Sequence, residues 1–252
     1  MDGDILRLLE KDPSNLVDYF FKEFNVNISM STVFALKQRF LGESWLNKSI
    51  KKIDASTLEN IYAKNGYFFN QEEKDLIKQI LDNADEINKL YQARISQVCE
   101  KRINQLREDI GLSIQPLDIM SDAFFWRKID SLSFPLYGLS NGMQLLKQTD
   151  SKAIRLAIIF LMADPYFHRS GYIITDILYY LKKVTFNEMQ LKSLNAILVY
   201  IVQSGYRREF RKFCKFAKKI NSKELQDSIN LLSLSQDSHI VRRAEWMKIA
   251  LD

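Results

Sequence analysis

Between Asn70 and Gly111, the apolar residues Leu76, Ile80, Ile87, Tyr91, Ile95, Val98, Ile103, Leu106 and Ile110 recur close to the 3.6-residue period of an α-helix. Asn70 and Glu73 have capping-box spacing, in which each side chain accepts a hydrogen bond from the other residue's otherwise unsatisfied N–H. Gly111 supplies a stop. The pattern predicts one helix over about 71–110, roughly 60 Å long at 1.5 Å per residue. A helix of that length must be a domain spine or an oligomer seam. The heptad is not strict, which favours the spine.

The remainder must be built around such an element, and the sequence points to helices throughout. Only 8 glycines and 4 prolines occur in 252 residues, too few turn formers for an all-β chain. Apolar residues at 46% and charged residues at 27% exclude a disordered chain. Asp12-Pro13 reads as an N-cap followed by proline at the first helical position, opening a helix to about Asn25. A second helix runs from Ser29 or Ser31 through Phe40 to a stop at Gly42, and a third near 56–64 stops before Gly66. Residues 17–39 have the layout of a helix-turn-helix that would present Ser29, Ser31, Thr32, Lys37 and Arg39. The turn lacks glycine, and two packed core helices explain the pattern better.

Residues 111–149 hold Pro116, Pro135, Gly111, Gly138 and Gly142 together with the aromatic run Phe124-Phe125-Trp126 and Phe134. Such a stretch is the natural junction between an N-terminal helical region, 1–149, and a second domain, 150–252. In the second domain, Asp150-Ser-Lys-Ala-Ile-Arg-Leu-Ala157 matches Asp237-Ser-His-Ile-Val-Arg-Arg-Ala244, an offset of two periods of about 43 residues. Ser170-Gly-Tyr172 recurs as Ser204-Gly-Tyr206, each read as opening a helix. Helices are expected at 151–163, 170–183, 187–203, 206–220, 222–234 and 238–251, with loops short enough to make successive helices antiparallel neighbours.

Asp237, Val241, Arg242, Ala244, Ala250 and Leu251 resemble the second helix of a HEAT-type repeat, and the period falls in the range of such repeats. The resemblance covers about 100 residues. It implies an all-α fold in which the N-terminal region with its long helix is followed by a short α-solenoid of antiparallel hairpins. A looser likeness lies in Arg169-Ser-Gly-Tyr172, in 207–217 and in Val241-Arg-Arg-Ala-Glu-Trp246. These are similar to the helical-repeat region of abortive-infection-type bacterial reverse transcriptases. The chain carries no YxDD polymerase motif, so the likeness implies a repeat module without polymerase activity, with a hint of phage defence.

Charge gives the sharpest functional signal. Residues 150–252 hold 17 Lys and Arg against 10 Asp and Glu, while the rest of the chain is slightly acidic. In the stretch 206–220, Phe210, Phe213, Ala217 and Ile220 form an apolar stripe. Arg207, Arg208, Arg211, Lys212, Lys215, Lys218 and Lys219 occupy much of the remainder, opposed only by Glu209. Lys182, Lys183, Lys223, Arg242 and Arg243 extend this set if the hairpins stack in order. The expected partner is nucleic acid or a nucleoprotein, held through phosphates. An acidic protein partner and a merely solvated face are the rival readings.

Evidence for catalysis is thin. His168 and His239 lack any metal-ligand spacing, so no metal or other cofactor is expected. A HEPN-type ribonuclease would need an arginine four to six residues before a histidine, and neither histidine has one. Asp176 stands in an apolar run, Ile-Ile-Thr-Asp-Ile-Leu. Asp164, Asp176 and Glu209 are the carboxylates open to acid–base work; HEAT-fold DNA glycosylases use a carboxylate in a basic groove, so that resemblance singles out Asp176. Cys99 and Cys214, far apart and without CxxC spacing, are expected to be reduced. The longest apolar stretch, 156–163, is far short of a membrane span and the N-terminus has no signal core, so a cytoplasmic protein is expected.

Overall fold

The computed structural model describes residues 5, 7–9, 12, 15–41, 53–117, 120–132, 142–167, 169–204 and 208–251. All regular structure among these is helical: α1 Asn15–Phe24, α2 Met30–Leu41, α3 Ala55–Lys64, α4 Gln71–Asp109, α5 Asp122–Leu132, α6 Gly142–Lys147, α7 Ser151–Ala163, α8 Ser170–Leu181, α9 Glu188–Ser204, α10 Phe210–Ala217, α11 Lys223–Leu232 and α12 Ser238–Leu251. Pro13, Gly42, Phe134, Pro135 and Gly138, singled out in the sequence, lie outside the described residues.

The long helix is present and its ends follow the sequence. Glu73 N–H donates to Asn70 Oδ1 at 2.9 Å, and Asn70 N–H donates to Glu73 Oε2 at 2.9 Å. At the far end Gly111 takes φ +77°, a left-handed conformation that glycine adopts without steric cost, and Leu112 N–H closes onto the Arg107 carbonyl. Among its described residues, the junction region contains two helices, α5 and α6.

By contacts, the chain forms two compact units, each discontinuous in sequence: Met1–Lys51 with Asn88–Arg127, and Lys52–Ile87 with Lys128–Asp252. The sequence boundary at 149/150 follows the repeats; the contact division follows burial, and it assigns α3 and the start of α4 to the same unit as the repeats.

In the first unit, α1 and α2 bury Leu16, Phe20, Val33, Ala35 and Leu36 with Cys99, Ile103 and Leu106 of α4. The polar side of α2 is also engaged by α4. Arg39 pairs with Glu100 at 2.7 Å, Gln38 donates to Ser96 Oγ, and Arg102 reaches Ser31. Ser31 and Arg39, two of the side chains a helix-turn-helix would present, are thus engaged by α4. Around α5, Phe125 meets Tyr91 edge-on at 5.1 Å, and Arg94 pairs with Asp122.

In the second unit, helix contacts include two successions, α6–α8–α10–α12 and α7–α9–α11, joined by contacts of α6 with α7, α7 with α8, α9 with α10 and α12, and α11 with α12. Helices α7 and α9 are buried almost all round, from Ala153 to Ala163 and from Ser193 to Val202, Arg155 excepted. A helix covered by one row of neighbours keeps an exposed side, so a second cover is required. It is supplied by α3 and the chain after it. The Tyr62 ring stacks on Tyr200 at 5.2 Å, the Tyr67 hydroxyl lies 2.8 Å from that of Ser193, and Asn65 and Gln203 exchange amide hydrogen bonds. Burial pushes the Tyr67 and Tyr200 phenols up to about 12.

Candidate nucleic-acid interface

Local chemistry fixes the frame of the basic segment. Asp150 caps α7 by accepting from Ala153 N–H at 2.9 Å, and Asp237 caps α12 by accepting from His239 N–H at 2.8 Å. Both matched aspartates therefore do the same job. Asp164, with φ +46°, closes α7 as a helix stop. Of the matched Ser-Gly-Tyr stretches, Ser170 opens α8 and Ser204 is the last residue of α9; Gly205, Tyr206 and Arg207 lie outside the described residues.

Helix α10 buries Phe210, Phe213, Cys214, Phe216 and Ala217. Arg211, Lys212, Lys215 and Lys218 are exposed, and at 100° per residue they fall within an arc of about 120°. Arg208 and Lys219 are exposed in the turns on either side. Among the described residues, none of these six cations makes an ion pair. Each like-charge pair at i,i+4, such as Arg211 with Lys215, destabilises a helix by about 0.2–0.5 kcal/mol. Each buried phenylalanine contributes about 1.5–3 kcal/mol. Burial wins, and the helix forms with its charges uncompensated.

The one acid of the segment faces elsewhere. A Cβ placed on Gly171 would overlap the Glu209 carboxylate, so Glu209 lies against the first turn of α8. A carboxylate there meets the positive end of the helix dipole. Only glycine at 171 permits the approach.

The neighbouring helices run alongside in the same direction. The start of α10 meets the start of α8 through Glu209 and Gly171, and Phe186 beyond α8 meets Phe216 edge-on at 6.2 Å. On the other side, Phe210 lies 6.1 Å from Trp246, and Asn221 donates to the Leu251 carbonyl at 2.9 Å. Lys183 is exposed, its Nζ 4.9 Å from the Tyr179 ring centre, while Lys182 is half-buried. Arg242 is exposed and stacks over Trp246 at 4.6 Å. Lys223 is exposed at the start of α11.

Arg243 does not belong to this surface. It is buried, donating from Nε to the Val202 carbonyl at 2.6 Å and from Nη2 to that of Gln203 at 3.4 Å. These are orphan carbonyls at the end of α9, so the guanidinium serves as a helix C-terminal cap. Burial pulls its pKa below the usual arginine value. The sequence reading missed this role, because nothing within a helix turn of Arg243 distinguishes it from Arg242.

Asp176 is exposed on α8, between Tyr172 and Tyr179, so the burial that would mark out a catalytic carboxylate is missing. His239 is exposed, and His168 lies outside the described residues. Among the described residues no cluster of His, Cys, Asp and Glu could hold a metal ion, and no helix is long and apolar enough to cross a membrane. The aromatics divide: Phe167 and Tyr200 are core, whereas Tyr166, Tyr172 and Tyr179 are exposed.

Comparison of the chain with known protein families, characterised proteins and solved structures returned no match.

Proposed function

We propose that the protein is a non-enzymatic helical module that binds nucleic acid or a nucleoprotein through the basic face of α10. The observation that carries this reading is the arc of Arg211, Lys212, Lys215 and Lys218, flanked by Arg208 and Lys219. All six are exposed without an ion pair, and Glu209 is turned toward α8. Uncompensated cations on one face create a field that attracts a polyanion and release counterions when phosphates replace them. The two successions of helices support a HEAT-like solenoid, a fold that presents extended binding surfaces. A role in bacterial phage defence rests only on the likeness of 169–172, 207–217 and 241–246 to the reverse-transcriptase repeat region.

The test is a salt titration of binding to an oligonucleotide of about 20 nucleotides. Combined R208E, R211E and K215E changes should abolish binding and lower the salt slope by about three, while the far-UV circular dichroism stays helical. Unchanged affinity would overturn the reading. An acidic protein is the alternative partner; its capture after nuclease treatment, with no oligonucleotide binding, would favour that reading.

A further inference from the structure

We infer that the nucleic acid is bound as an unpaired strand, its phosphates along α10 and its bases stacked on tyrosines of α8; this rests on the basic-face reading above. The exposed stripe of α8 is Tyr172, Asp176 and Tyr179, continued by Lys183 in the turn just past its end. Their i, i+4, i+7, i+11 spacing keeps them on one side. Tyr172 is 66% exposed and Tyr179 is 57% exposed, large values for aromatic rings in a unit that buries Tyr62 and Tyr200 completely.

The stripe lies beside the basic arc. Helices α8 and α10 touch, with Gly171 against Glu209 just before α10 and Phe186, beyond α8, against Phe216 near the end of α10. Tyr172 therefore sits level with Arg208 and Arg211, and Tyr179 with Lys215 and Lys218. Helix α8 packs on α7 and helix α10 packs on α9, and α7 and α9 touch each other as the buried layer, so the exposed sides of α8 and α10 both point away from that layer. On the opposite flank, Arg242 over Trp246 adds a second cation–ring pair. Asp176 and Glu245 are the acids on these two flanking stripes, and both are exposed.

A duplex presents phosphates and groove edges to such a surface but not the π-faces of its bases, which are stacked on one another. An unpaired strand offers the π-faces of its bases as well. Rings beside a cationic track suit the second ligand, and stacking is worth about 1–3 kcal/mol per base.

The experiment compares three probes of about 20 nucleotides at equal salt: a thymidine strand, a length-matched abasic strand and a duplex. The wild type should prefer the thymidine strand. Changing Tyr172→Ala with Tyr179→Ala should weaken that complex by about 30-fold or more, from two lost stacks. Binding of the abasic strand should be unaltered, and Tyr172→Phe with Tyr179→Phe should restore the thymidine complex. Equal binding of all three probes by the wild type, or indifference to the alanine pair, would overturn the unpaired-strand inference and leave the basic-face reading standing. Failure of the wild type to bind any probe would overturn both.

Discussion

Arg243 Nε donates to the carbonyl oxygen of Val202 across 41 residues of sequence, at 2.6 Å. The neighbouring Arg242 points outward over Trp246. Two adjacent arginines thus have different work, and substitution separates them. Changing Arg243→Ala removes a charge-assisted hydrogen bond and leaves the α9 carbonyls unmet, a loss of about 2–4 kcal/mol. In a chain of this size that lowers Tm by about 5–15 °C. Changing Arg242→Ala removes a solvent-exposed cation–π contact worth about 0.5–1 kcal/mol, yet should weaken oligonucleotide binding. Equal Tm losses in the two variants would contradict this division.

Gly171 and Glu209 form the second testable pair. A methyl group at 171 displaces the carboxylate from the α8 terminus, a loss of about 0.3–1 kcal/mol. Alanine in a helix recovers about 0.8–1.0 kcal/mol over glycine. Stability of Gly171→Ala should therefore stay within about 1 kcal/mol of wild type. The freed carboxylate can reach Arg208 or Lys212, so oligonucleotide affinity should fall, and adding Glu209→Gln should restore it. A double variant that binds no better than Gly171→Ala would show that the carboxylate is not responsible.

The Asp237 cap makes part of the stability depend on pH. Hydrogen bonds from the His239 and Ile240 N–H groups favour its ionised form and hold its carboxyl below the usual aspartate value. A group whose folded pKa is depressed contributes stability that is present above its unfolded pKa and lost as pH falls through the folded value. Asp237→Ala should lower Tm at neutral pH, and the deficit should shrink in acid. A deficit that is constant across the carboxylate range would remove Asp237 from the account.

Both cysteines are free and buried. Burial pushes the Cys214 thiol up to about 11 and raises that of Cys99 as well. The reactive thiolate is therefore scarce at neutral pH. Neither thiol of the native protein should react with an aromatic disulfide reagent within minutes at about pH 8, and both should react once denaturant is added. Rapid labelling of a native thiol would show that its helix opens.

Much of the helical layout was legible because it is written in local chemistry. Asn70 with Glu73, Asp150 and Asp237 each satisfy backbone donors within three residues of themselves, so the starts of α4, α7 and α12 could be read directly. The apolar stripe of α10 is similarly local. Helices α5 and α6 were not foreseen, since glycines and prolines around them masked short helical stretches. Ser204 shows the limit of a repeat match: Ser170 opens one helix, whereas the matched Ser204 is the last residue of another.

The sequence by itself determined where most helices begin and end and which face of α10 is charged, because caps and helical periodicity act over a few residues. Only the tertiary structure decided that Arg243 leaves that charged set, that Glu209 turns to Gly171, and that Tyr62, Asn65 and Tyr67 cover α7 and α9. Burial is set by whichever helix packs alongside, and those partners lie tens of residues away or more. No pattern within one helix turn records them.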